Sequence, residues 1–447
     1  GSEMCIRDSL NGFTSIWNFA IKMDIAITRC AARLGDNCGV FPLKSFLGTE
    51  FRSDCYNNRN GEVKEILRFG LDDTMHLQEI QKELDYYQKL TPTNFAEERA
   101  KFFECLKIQV PYNPEFEYND KLEVEDYEEI KKTLKKQRGR DAIINAFLDV
   151  HLDVTDLMIA WKKNRYTDVS ILSGQLFGST KDFELSKAEK LYEKLIRLLP
   201  QDTRLYNDKQ IAQHFKDEFK KRHLEGWRVE YNEANGGNVS IYEVDKKVVI
   251  RTGAVETKLG VECILAHELD GHAFQAFNAM ADRRYDQWFL SYLGTERQYE
   301  GFATFVVINK LPISHINREL KHNLAFMIAT AYAQRLSFWD TFQKMYQICA
   351  DKNISFFAAY KAKRGFRVTS QPGCFQKENA YLLGALEVIG IVEEAQENYY
   401  RLSQGCFPLA ALRHVSDKRP KWISIDNFNQ DNIDYFKRSM MAIINSH

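Results

Sequence analysis

The sequence has no long hydrophobic run, no paired cysteine spacing and no excess of charge of either sign. No stretch approaches the 18 or more apolar residues of a membrane-spanning helix. The 61 basic and 62 acidic residues give a formal net charge of −1, which provides no electrostatic basis for binding nucleic acid or a membrane surface. The composition is that of an ordinary globular protein, and we expect neither nucleic acid nor a membrane as a partner.

The nine cysteines are scattered singly along the chain. None of them forms a C-x-x-C pair, and their odd number does not suit a paired disulfide framework. Residues 1–9 lack the basic start and the apolar stretch of a secretory signal, and they are predicted to be a non-native remnant. Unpaired thiols without an export signal favour a reducing compartment, so the cytoplasm is the expected location.

Helical periodicity dominates the chain, and short strands are predicted only in its middle. The clearest predicted helices lie at 141–163, 258–281 and 295–309, and the predicted strands lie at 227–231, 239–244 and 247–252, with a turn at 235–238. The pattern predicts a predominantly helical α+β fold with a small antiparallel sheet next to the helix at 258–281. A soft domain boundary is predicted near residue 205, between a helical region at 10–205 and a second region at 206–447, and a single body is the alternative.

The segment Ala266–Phe274 reads A-H-E-L-D-G-H-A-F and lies in one of these predicted helices. Zinc binds neutral imidazole nitrogen, and a carboxylate beside the metal can take a proton from water. We therefore predict His267 and His272 as ligands of one zinc ion and Glu268 as the general base. The two histidines are five residues apart, which places them about 140° apart around a regular α-helix. A π-bulge or a locally broken turn near Gly271 must absorb the extra residue.

A third ligand is expected from a second helix, because catalytic zinc sites have three protein ligands and one open position. Glu300, followed by the small Gly301, is the first choice, and Glu296 one turn earlier is the competing choice. Asp270 and Glu296 are also candidates to accept the outer ring proton of the ligating histidines. The residues thus predict the His2Glu zinc site of a metallopeptidase, and residues 206–447 as its catalytic region.

These motifs resemble those of the microtubule-associated tyrosine carboxypeptidase family and its bacterial relatives. The pattern of that family is a five-spaced H-E-x-x-x-H followed by a Gln-Glu-Gly-Leu-Ala-like string, and the counterparts here are His267–His272 and Tyr299–Ala303. Further similar strings lie at Ser170–Gly178, Arg364–Gly365 and Gly373–Gly384. The resemblance therefore extends over roughly residues 110 to 400.

The resemblance implies a metallocarboxypeptidase, and the eukaryotic members of the family remove the C-terminal tyrosine of tubulin. It implies a peptide or protein C-terminus as the substrate, but not tubulin itself. A carboxypeptidase needs a cation for the terminal carboxylate of its substrate, and Arg364, Arg367 and Lys377 in the late loop are the candidates. Tyr381 is the first candidate to donate a hydrogen bond to the developing oxyanion, and Tyr299 is the second.

This chain departs from the family pattern at several positions, and these differences bear on substrate choice. The departures lie at Asp270-Gly271, Tyr299, Gln376 and Glu378, and they leave the predicted ligands and base unchanged. The strand that includes Val248–Thr252 is a candidate to bind a peptide along its edge, and an ordinary structural hairpin is the alternative.

The nearest competing interpretation is a zinc exopeptidase of the dipeptidyl peptidase III type. Its motif, H-E-L-L-G-H, differs from residues 267–272 only at Asp270. That family has a longer gap to its third ligand, whereas Glu300 follows His267 by only 33 positions, and it cleaves peptides from the N-terminus. A relative that binds zinc or a partner protein without turnover is the second alternative, although a structural site would not need Glu268.

Overall fold

The structure is a computed structural model. It describes residues 80–139, 141–200, 204–232, 238–242, 245–281 and 293–444. The predicted remnant at residues 1–9 and most of the predicted turn at 235–238 lie outside these ranges. None of the helices within them combines the length and the apolar composition that a membrane crossing requires.

Helices make up most of the described chain, as predicted. Those that precede the first strand are α1 (Tyr86–Lys89), α2 (Phe95–Lys107), α3 (Val124–Lys136), α4 (Ala142–Lys162), α5 (Tyr166–Phe177) and α6 (Leu185–Leu198). Those that follow it are α7 (Asp208–Lys221), α8 (Lys258–Leu265), a π-helix (Ala266–Ala273), α9 (Phe274–Ala281), α10 (Glu296–Lys310), α11 (Ile313–Ala333), α12 (Phe338–Cys349), α13 (Lys352–Ala362), α14 (Asn379–Glu394), α15 (Glu397–Leu402), a 3-10 helix (Leu409–His414) and α16 (Gln430–Met441). The helices predicted at 141–163, 258–281 and 295–309 are confirmed to within one residue at each end.

The strands form two small sheets. They are β1 (Leu205–Asn207), β2 (Arg228–Asn232), β3 (Val239–Tyr242), β4 (Lys247–Arg251) and β5 (Val255–Thr257). β1 pairs with β5 in antiparallel fashion, and the second sheet has the order β2–β4–β3. β4 runs antiparallel to β3, as the predicted hairpin requires, but parallel to β2. The second sheet is therefore mixed, and the prediction of a purely antiparallel sheet is corrected.

β4 occupies the centre of the mixed sheet and is the most buried of its three strands. Val248 and Ile250 are fully buried and Val249 nearly so, which suits a strand covered on both sides. Its two edges are paired with β2 and β3. A strand with both edges paired has no backbone groups left for a peptide, so the expectation that Val248–Thr252 offers a free edge is wrong.

Each strand of the two-stranded sheet leads directly into a helix. At the end of β1, Asn207 and Gln210 cap each other's backbone N–H groups at 3.0 Å and start α7. At the end of β5, the hydroxyl of Thr257 accepts a hydrogen bond from Gly260 N–H and starts α8. Such side-chain acceptors satisfy the first N–H groups of a helix, so the pairing of β1 with β5 sets where both helices begin.

A buried cluster joins the mixed sheet to the helical stretch at 258–281. Phe215 and Phe219 of α7, Val248 and Ile250 of β4 and Leu269 of the π-helix all belong to it. The sheet therefore lies next to the helix that carries the predicted histidines. The described chain is a predominantly helical α+β structure.

Two larger buried clusters hold the remaining helices together. The first draws mainly on α2, α4, α5, α12 and α13, and it includes Phe147 and Phe356. The second draws on α6, α10, α11, α14 and α16, and it includes Tyr192 and Phe305. Each cluster thus combines residues from before and after position 205. The domain boundary proposed at that position stays a prediction.

The most extensive helix contact among the described residues is between α10 and α14, and glycine makes it so close. A Cβ atom added to Gly301 would lie 2.3 Å from the carbonyl carbon of Gly384, and one added to Gly384 would lie 2.0 Å from the carbonyl oxygen of Arg297. Only residues without a Cβ atom let the two backbones approach to this distance. The crossing places Glu300 of α10 beside the residues that start α14.

The loop that precedes α14 is docked on α5 by side-chain hydrogen bonds. Ser170 Oγ accepts from Cys374 N–H at 2.8 Å, and Ser173 Oγ accepts from Gln376 N–H at 3.2 Å. The side-chain amide of Asn379 donates to the carbonyl oxygen of Gly178 at 2.7 Å. Two of the strings that resemble the family, far apart in sequence, are therefore in direct contact.

Lys363 closes the same loop from its other end. Its buried ammonium group lies 2.7–3.0 Å from the carbonyl oxygens of Ala333, Leu336, Gln371 and Gly373. An ammonium group has three N–H donors, so four carbonyl acceptors satisfy it completely. A loop without regular secondary structure is thereby held between α11, α13 and α14.

We expect Gly384→Ala to lower the free energy of unfolding by about 2–3 kcal/mol, since the added methyl group forces α10 and α14 apart. Gly390→Ala is the matched control on the same helix, because nothing lies within 4 Å of a Cβ atom added there. That variant should be neutral or stabilised by about 0.5–1 kcal/mol through its better helix propensity. Urea unfolding followed by circular dichroism measures both, and equal stabilities would contradict the close crossing.

Candidate active site

The two predicted histidine ligands lie on the π-helix, which absorbs the fifth residue between them. Phe274 N–H donates to the carbonyl oxygen of Leu269, five residues earlier, whereas an α-helix would use the residue four earlier. Side chains five apart are therefore one turn apart. The Nε2 atoms of His267 and His272 lie 3.1 Å from each other, and the expected π-distortion is confirmed.

Gly271 lies where the π-helix packs against α10. A Cβ atom added there would lie 2.7 Å from Ala303 Cβ and 2.8 Å from Ala303 Cα. The adjacent Asp270, only 3% exposed, forms ion pairs with Arg222 and, at 2.6 Å, with Lys310. The distorted turn is thus tied to the end of α7 and to the end of α10. The carboxylate of Asp270 is engaged by these two cations and not by a ligating histidine.

Glu300 completes a group of three side chains that could hold a metal ion. Its Oε2 atom lies 3.2 Å from His267 Nε2 and 3.4 Å from His272 Nε2. Among the described residues, these three are the cluster of His, Cys, Asp and Glu side chains whose ligand atoms converge in this way. The histidines come from the π-helix and the carboxylate from α10, as a two-helix site requires.

The competing carboxylate, Glu296, is directed elsewhere. It is buried and accepts a hydrogen bond from the phenol of Tyr86. Burial raises the pKa of Glu296 to about 8, although this hydrogen bond acts against the rise. A carboxyl group that holds its proton at neutral pH is a poor metal ligand. The neutral, hydrogen-bonded form of Glu296 and the position of Glu300 beside both histidines therefore favour Glu300 as the third ligand.

Burial and neighbouring charges set the protonation of the three convergent groups. Burial would raise the pKa of Glu300, but Lys377 and the hydrogen bonds from the histidines hold it well below its usual value. Burial lowers the pKa of His272 to about 4, with Glu300 acting against it. Burial also acts to lower the pKa of His267, but Glu300 and Glu268 outweigh it and raise that pKa. An ionised carboxylate and a neutral imidazole are the forms that bind a metal ion. The pKa shifts of Glu300 and His272 favour these forms, whereas the raised pKa of His267 favours the protonated ring, which must lose its proton to bind a metal.

Ring stacking orients the imidazole of His272. Its Nδ1 atom is buried without a hydrogen-bond partner among the described residues, so neither Asp270 nor Glu296 serves as the predicted acceptor. The ring of Tyr299 instead stacks on it, with the ring centres 3.7 Å apart and the planes inclined by 19°. Tyr299, the second candidate for an oxyanion donor, thus covers one face of a candidate ligand.

Lys377 and Tyr381 approach the same site from the start of α14. The Nζ atom of Lys377 lies 2.8 Å from Glu300 Oε1 and 3.1 Å from the hydroxyl oxygen of Tyr381. The ring of Tyr381 stacks on the ring of His267 with the centres 5.9 Å apart. Tyr381 is therefore next to the predicted ligands, and the ammonium group of Lys377 is already paired with one of them.

The two candidate arginines of the late loop lie on different aromatic groups. The guanidinium of Arg364 is 5.1 Å from the centre of the Tyr87 ring, and Lys377 Nζ is 5.1 Å from that same centre. Arg364 and Lys377 are therefore separated by no more than twice this distance. The guanidinium of Arg367 lies instead 5.6 Å from the centre of the Tyr118 ring. Only Arg364 shares an aromatic neighbour with the site.

Arg364 also forms no direct ion pair within the described part of the chain. It is 6% exposed, it forms no ion pair with any carboxylate of the described chain, and its Nε atom has no hydrogen-bond partner there. The neighbouring cation Lys361 is paired with Glu378 at 3.0 Å. The charge of Glu378 and the phenol of Tyr360 both interact with the guanidinium of Arg364, although no carboxylate oxygen is directly paired with it. Arg364 is therefore a candidate to bind an anion.

Tyr86 and Tyr87 are site residues that the sequence analysis missed. One hydrogen-bonds to Glu296, and the other lies between Lys377 and Arg364. Both belong to the four-residue helix α1, whose start is capped by Asp85. They lie about 200 residues before the site and in no recognisable motif, so no sequence signal connected them with it.

The chain is similar to a known protein family over most of its length. Residues 100–408, more than two thirds of the sequence, match the profile of the family described as microtubule-associated tyrosine carboxypeptidase. The chain belongs to this family. Membership of the microtubule-associated tyrosine carboxypeptidase family confirms the resemblance drawn from the motifs, and the matched range includes the histidines, Glu300, the late loop and Tyr381.

Individual members of the family are similar over shorter stretches. Proteins of Mus musculus and Homo sapiens with the provisional name tyrosine carboxypeptidase MATCAP2 are each 29% identical over 140 residues, covering 29% of this chain and 25% of theirs. Microtubule-associated tyrosine carboxypeptidase 1 of Mus musculus is 40% identical over 57 residues, covering 13% of this chain and 12% of its own. The aligned part thus spans a quarter or less of these relatives.

One solved structure is also similar to this chain. It is that of a protein described as a lipoprotein of Colwellia psychrerythraea, with 11% identity and a TM-score of 0.37 over 70% of this chain and 66% of that protein. A likeness of this size does not bear on the fold or the function.

Replacing Glu300 and Glu296 in turn tests which carboxylate binds the metal. We expect Glu300→Gln to lose bound metal, with an affinity loss beyond the roughly 100-fold that outer hydrogen-bond partners cost. Glu296→Gln should keep its metal, because an amide replaces a carboxyl group that is already neutral at pH 7. Elemental analysis of the purified proteins measures both, and loss of metal from Glu296→Gln alone would reverse the assignment.

Proposed function

We propose that this protein is a zinc-dependent metallocarboxypeptidase that removes an aromatic, tyrosine-like residue from the C-terminus of a peptide or protein. The proposal rests on the spacing of His267 Nε2, His272 Nε2 and Glu300 Oε2, which lie 3.1–3.4 Å from one another. Ligand atoms about 2.0–2.1 Å from a tetrahedral zinc ion lie about 3.3 Å apart. Two imidazoles and one carboxylate also form a ligand set of catalytic zinc that leaves one position open.

Family membership supports peptide hydrolysis at this position. The names of the related mouse and human proteins describe tyrosine carboxypeptidases. This agrees with a zinc ligand set that has the carboxylate of Glu268 directly after its first histidine. A C-terminal aromatic residue is the substrate class that these names suggest. No particular protein substrate follows from them for this chain.

Glu268 is the proposed general base. Zinc held by the three ligands would polarise the scissile carbonyl group and lower the pKa of a water molecule toward neutrality. The carboxylate of Glu268, next to the first histidine, takes a proton from this water as the water oxygen attacks the carbonyl carbon. The same carboxyl group then passes the proton to the amine nitrogen as the C–N bond breaks. The phenol of Tyr381 donates a hydrogen bond to the carbonyl oxygen, on which negative charge develops.

Arg364 is the proposed receptor for the free carboxylate of the substrate. Its buried guanidinium is in no direct ion pair with a carboxylate of the described chain, and a substrate carboxylate could accept two parallel N–H···O bonds from it. The rings of Tyr87 and Tyr360 lie 5.1 and 5.7 Å from the guanidinium. Flat rings beside the carboxylate position suit an aromatic terminal side chain. Arg367 is less suitable because its guanidinium lies on the rings of Tyr118 and Trp161. Lys377 is less suitable because its ammonium group is paired with Glu300.

We propose the cytoplasm as the location of the protein. Among the described residues, Cys105, Cys263, Cys349 and Cys374 form no disulfide. Reduced thiols are typical of proteins in reducing compartments. The proposal concerns the compartment only and is independent of the reaction.

Glu268→Gln should abolish hydrolysis while the metal stays bound. The amide keeps the size of the side chain but cannot take a proton, so we expect kcat to fall about 10²–10⁴-fold. Mass spectrometry of a peptide with a C-terminal tyrosine measures the release of the amino acid, and elemental analysis measures the zinc. Full activity of this variant with zinc retained would rule out the mechanism.

Arg364→Ala should lower kcat/KM for a peptide with a free C-terminus by about 100-fold, which corresponds to about 3 kcal/mol of lost charged contact. Arg367→Ala is the matched control, and its kcat/KM should change by less than about threefold, because its guanidinium lies on Tyr118 and Trp161 instead. Similar losses in both variants would remove Arg364 from its proposed role.

Blocked peptides show which end is attacked. An N-acetylated peptide with a free carboxylate should be cleaved by the unaltered protein, and the same peptide with a C-terminal amide should resist it. The opposite pattern would favour an activity of the dipeptidyl peptidase III type.

A further inference from the structure

The side chain of Lys377 is buried and is surrounded by other groups of the protein. Its side chain is 2% exposed, and its ammonium group lies 4.6 Å from the centre of the Tyr381 ring and 5.1 Å from that of the Tyr87 ring. Two hydrogen-bond partners, Glu300 Oε1 and the Tyr381 hydroxyl oxygen, are already within 3.1 Å. The contacts of Lys377 are therefore internal to the protein.

The first consequence concerns how Glu300 can bind a metal ion. Its two carboxylate oxygens are divided, since Oε1 accepts from Lys377 and Oε2 faces the histidines at 3.2 and 3.4 Å. A carboxylate whose other oxygen is held by a charge-assisted hydrogen bond offers only one oxygen to the metal. One-oxygen ligation keeps the further coordination positions open, as a catalytic site requires.

The second consequence concerns the hydroxyl group of Tyr381. Lys377 has only N–H donors, so at 3.1 Å the phenol oxygen accepts a hydrogen bond from it. The hydrogen of the phenol is then directed away from Lys377 and is available to a third group. A phenol ordinarily keeps this hydrogen at neutral pH.

We propose that Lys377 is a positioning residue that holds Glu300 as a one-oxygen metal ligand and directs the hydroxyl hydrogen of Tyr381 toward the substrate carbonyl. The first part concerns metal binding alone. The second part rests on the proposed carboxypeptidase function. This role replaces the predicted role of Lys377 in binding the substrate carboxylate.

Zinc affinity tests the first part without any substrate. We expect Lys377→Met to bind zinc about 10–100-fold more weakly than the unaltered protein in competition with a coloured chelator, the usual cost of losing an outer hydrogen-bond partner of a metal ligand. Lys361→Met is the matched control, because it removes a nearby lysine that is paired with Glu378 instead of Glu300. Its zinc affinity should change less than threefold.

Two outcomes would overturn this part of the proposal. Unchanged or tighter zinc binding by Lys377→Met would show that the lysine does not support Glu300 as a ligand. An equal loss in Lys361→Met would show a general effect of charge. If Lys377→Met does not fold by circular dichroism, Lys377→Gln replaces it, since its amide can still donate to Glu300 and should keep zinc affinity within about tenfold. A larger loss in Lys377→Gln would also contradict the proposal.

A double-mutant cycle tests the second part. We expect Tyr381→Phe to keep its zinc affinity and to lower kcat about 10²-fold. With zinc saturating, Lys377→Met should also lower kcat, and it should cause little further loss in the Tyr381→Phe background. Full additivity of the two losses would contradict the positioning of Tyr381. Should the unaltered protein hydrolyse no peptide, the proposed function fails, whereas the zinc titrations still decide the first part.

Discussion

The contact between the backbones of α10 and α14 at Gly301 and Gly384 is the constraint on which the site depends. Because no side chain separates the helices there, Glu300 lies close enough to α14 for one of its oxygens to reach Lys377. The opposite side of α10 packs against the π-helix, where Gly271 is in similarly close contact, and the other oxygen faces the histidines. Small residues on two sides of one helix thus set both distances that define the candidate metal site.

Features that depend on neighbours along the chain were predictable, and those that depend on distant contacts were not. The spacing of His267 and His272 demanded a distorted helix, since helical geometry alone fixes the angle between residues five apart. The choice between Glu296 and Glu300 could not be made in the same way, because they lie one turn apart on the same helix. It depends on Tyr86, which lies 210 residues before Glu296 and hydrogen-bonds to it.

The same distinction applies to the late loop and to the sheet. A loop without regular structure has no period from which to rank Arg364, Arg367 and Lys377, and their roles separate only through the rings and carboxylates around them. The hairpin of β3 and β4 was predictable because it is local. The insertion of β4 between β2 and β3 was not, since it depends on which strand is buried most deeply on both sides.

The π-helix relates the number of residues between the two histidines to the geometry of the candidate metal site. Because a π-turn holds one residue more than an α-turn, removal of one residue between the two histidines would allow a regular α-helix whose later residues keep their direction around the axis. The buried face of α9, which includes Ala276 and Ala279, would then keep its contacts with the core. The residue removed, however, would be one of Glu268, Leu269, Asp270 and Gly271, so the deletion would remove the proposed base, a buried core residue, the carboxylate paired with Arg222 and Lys310, or the glycine that contacts Ala303.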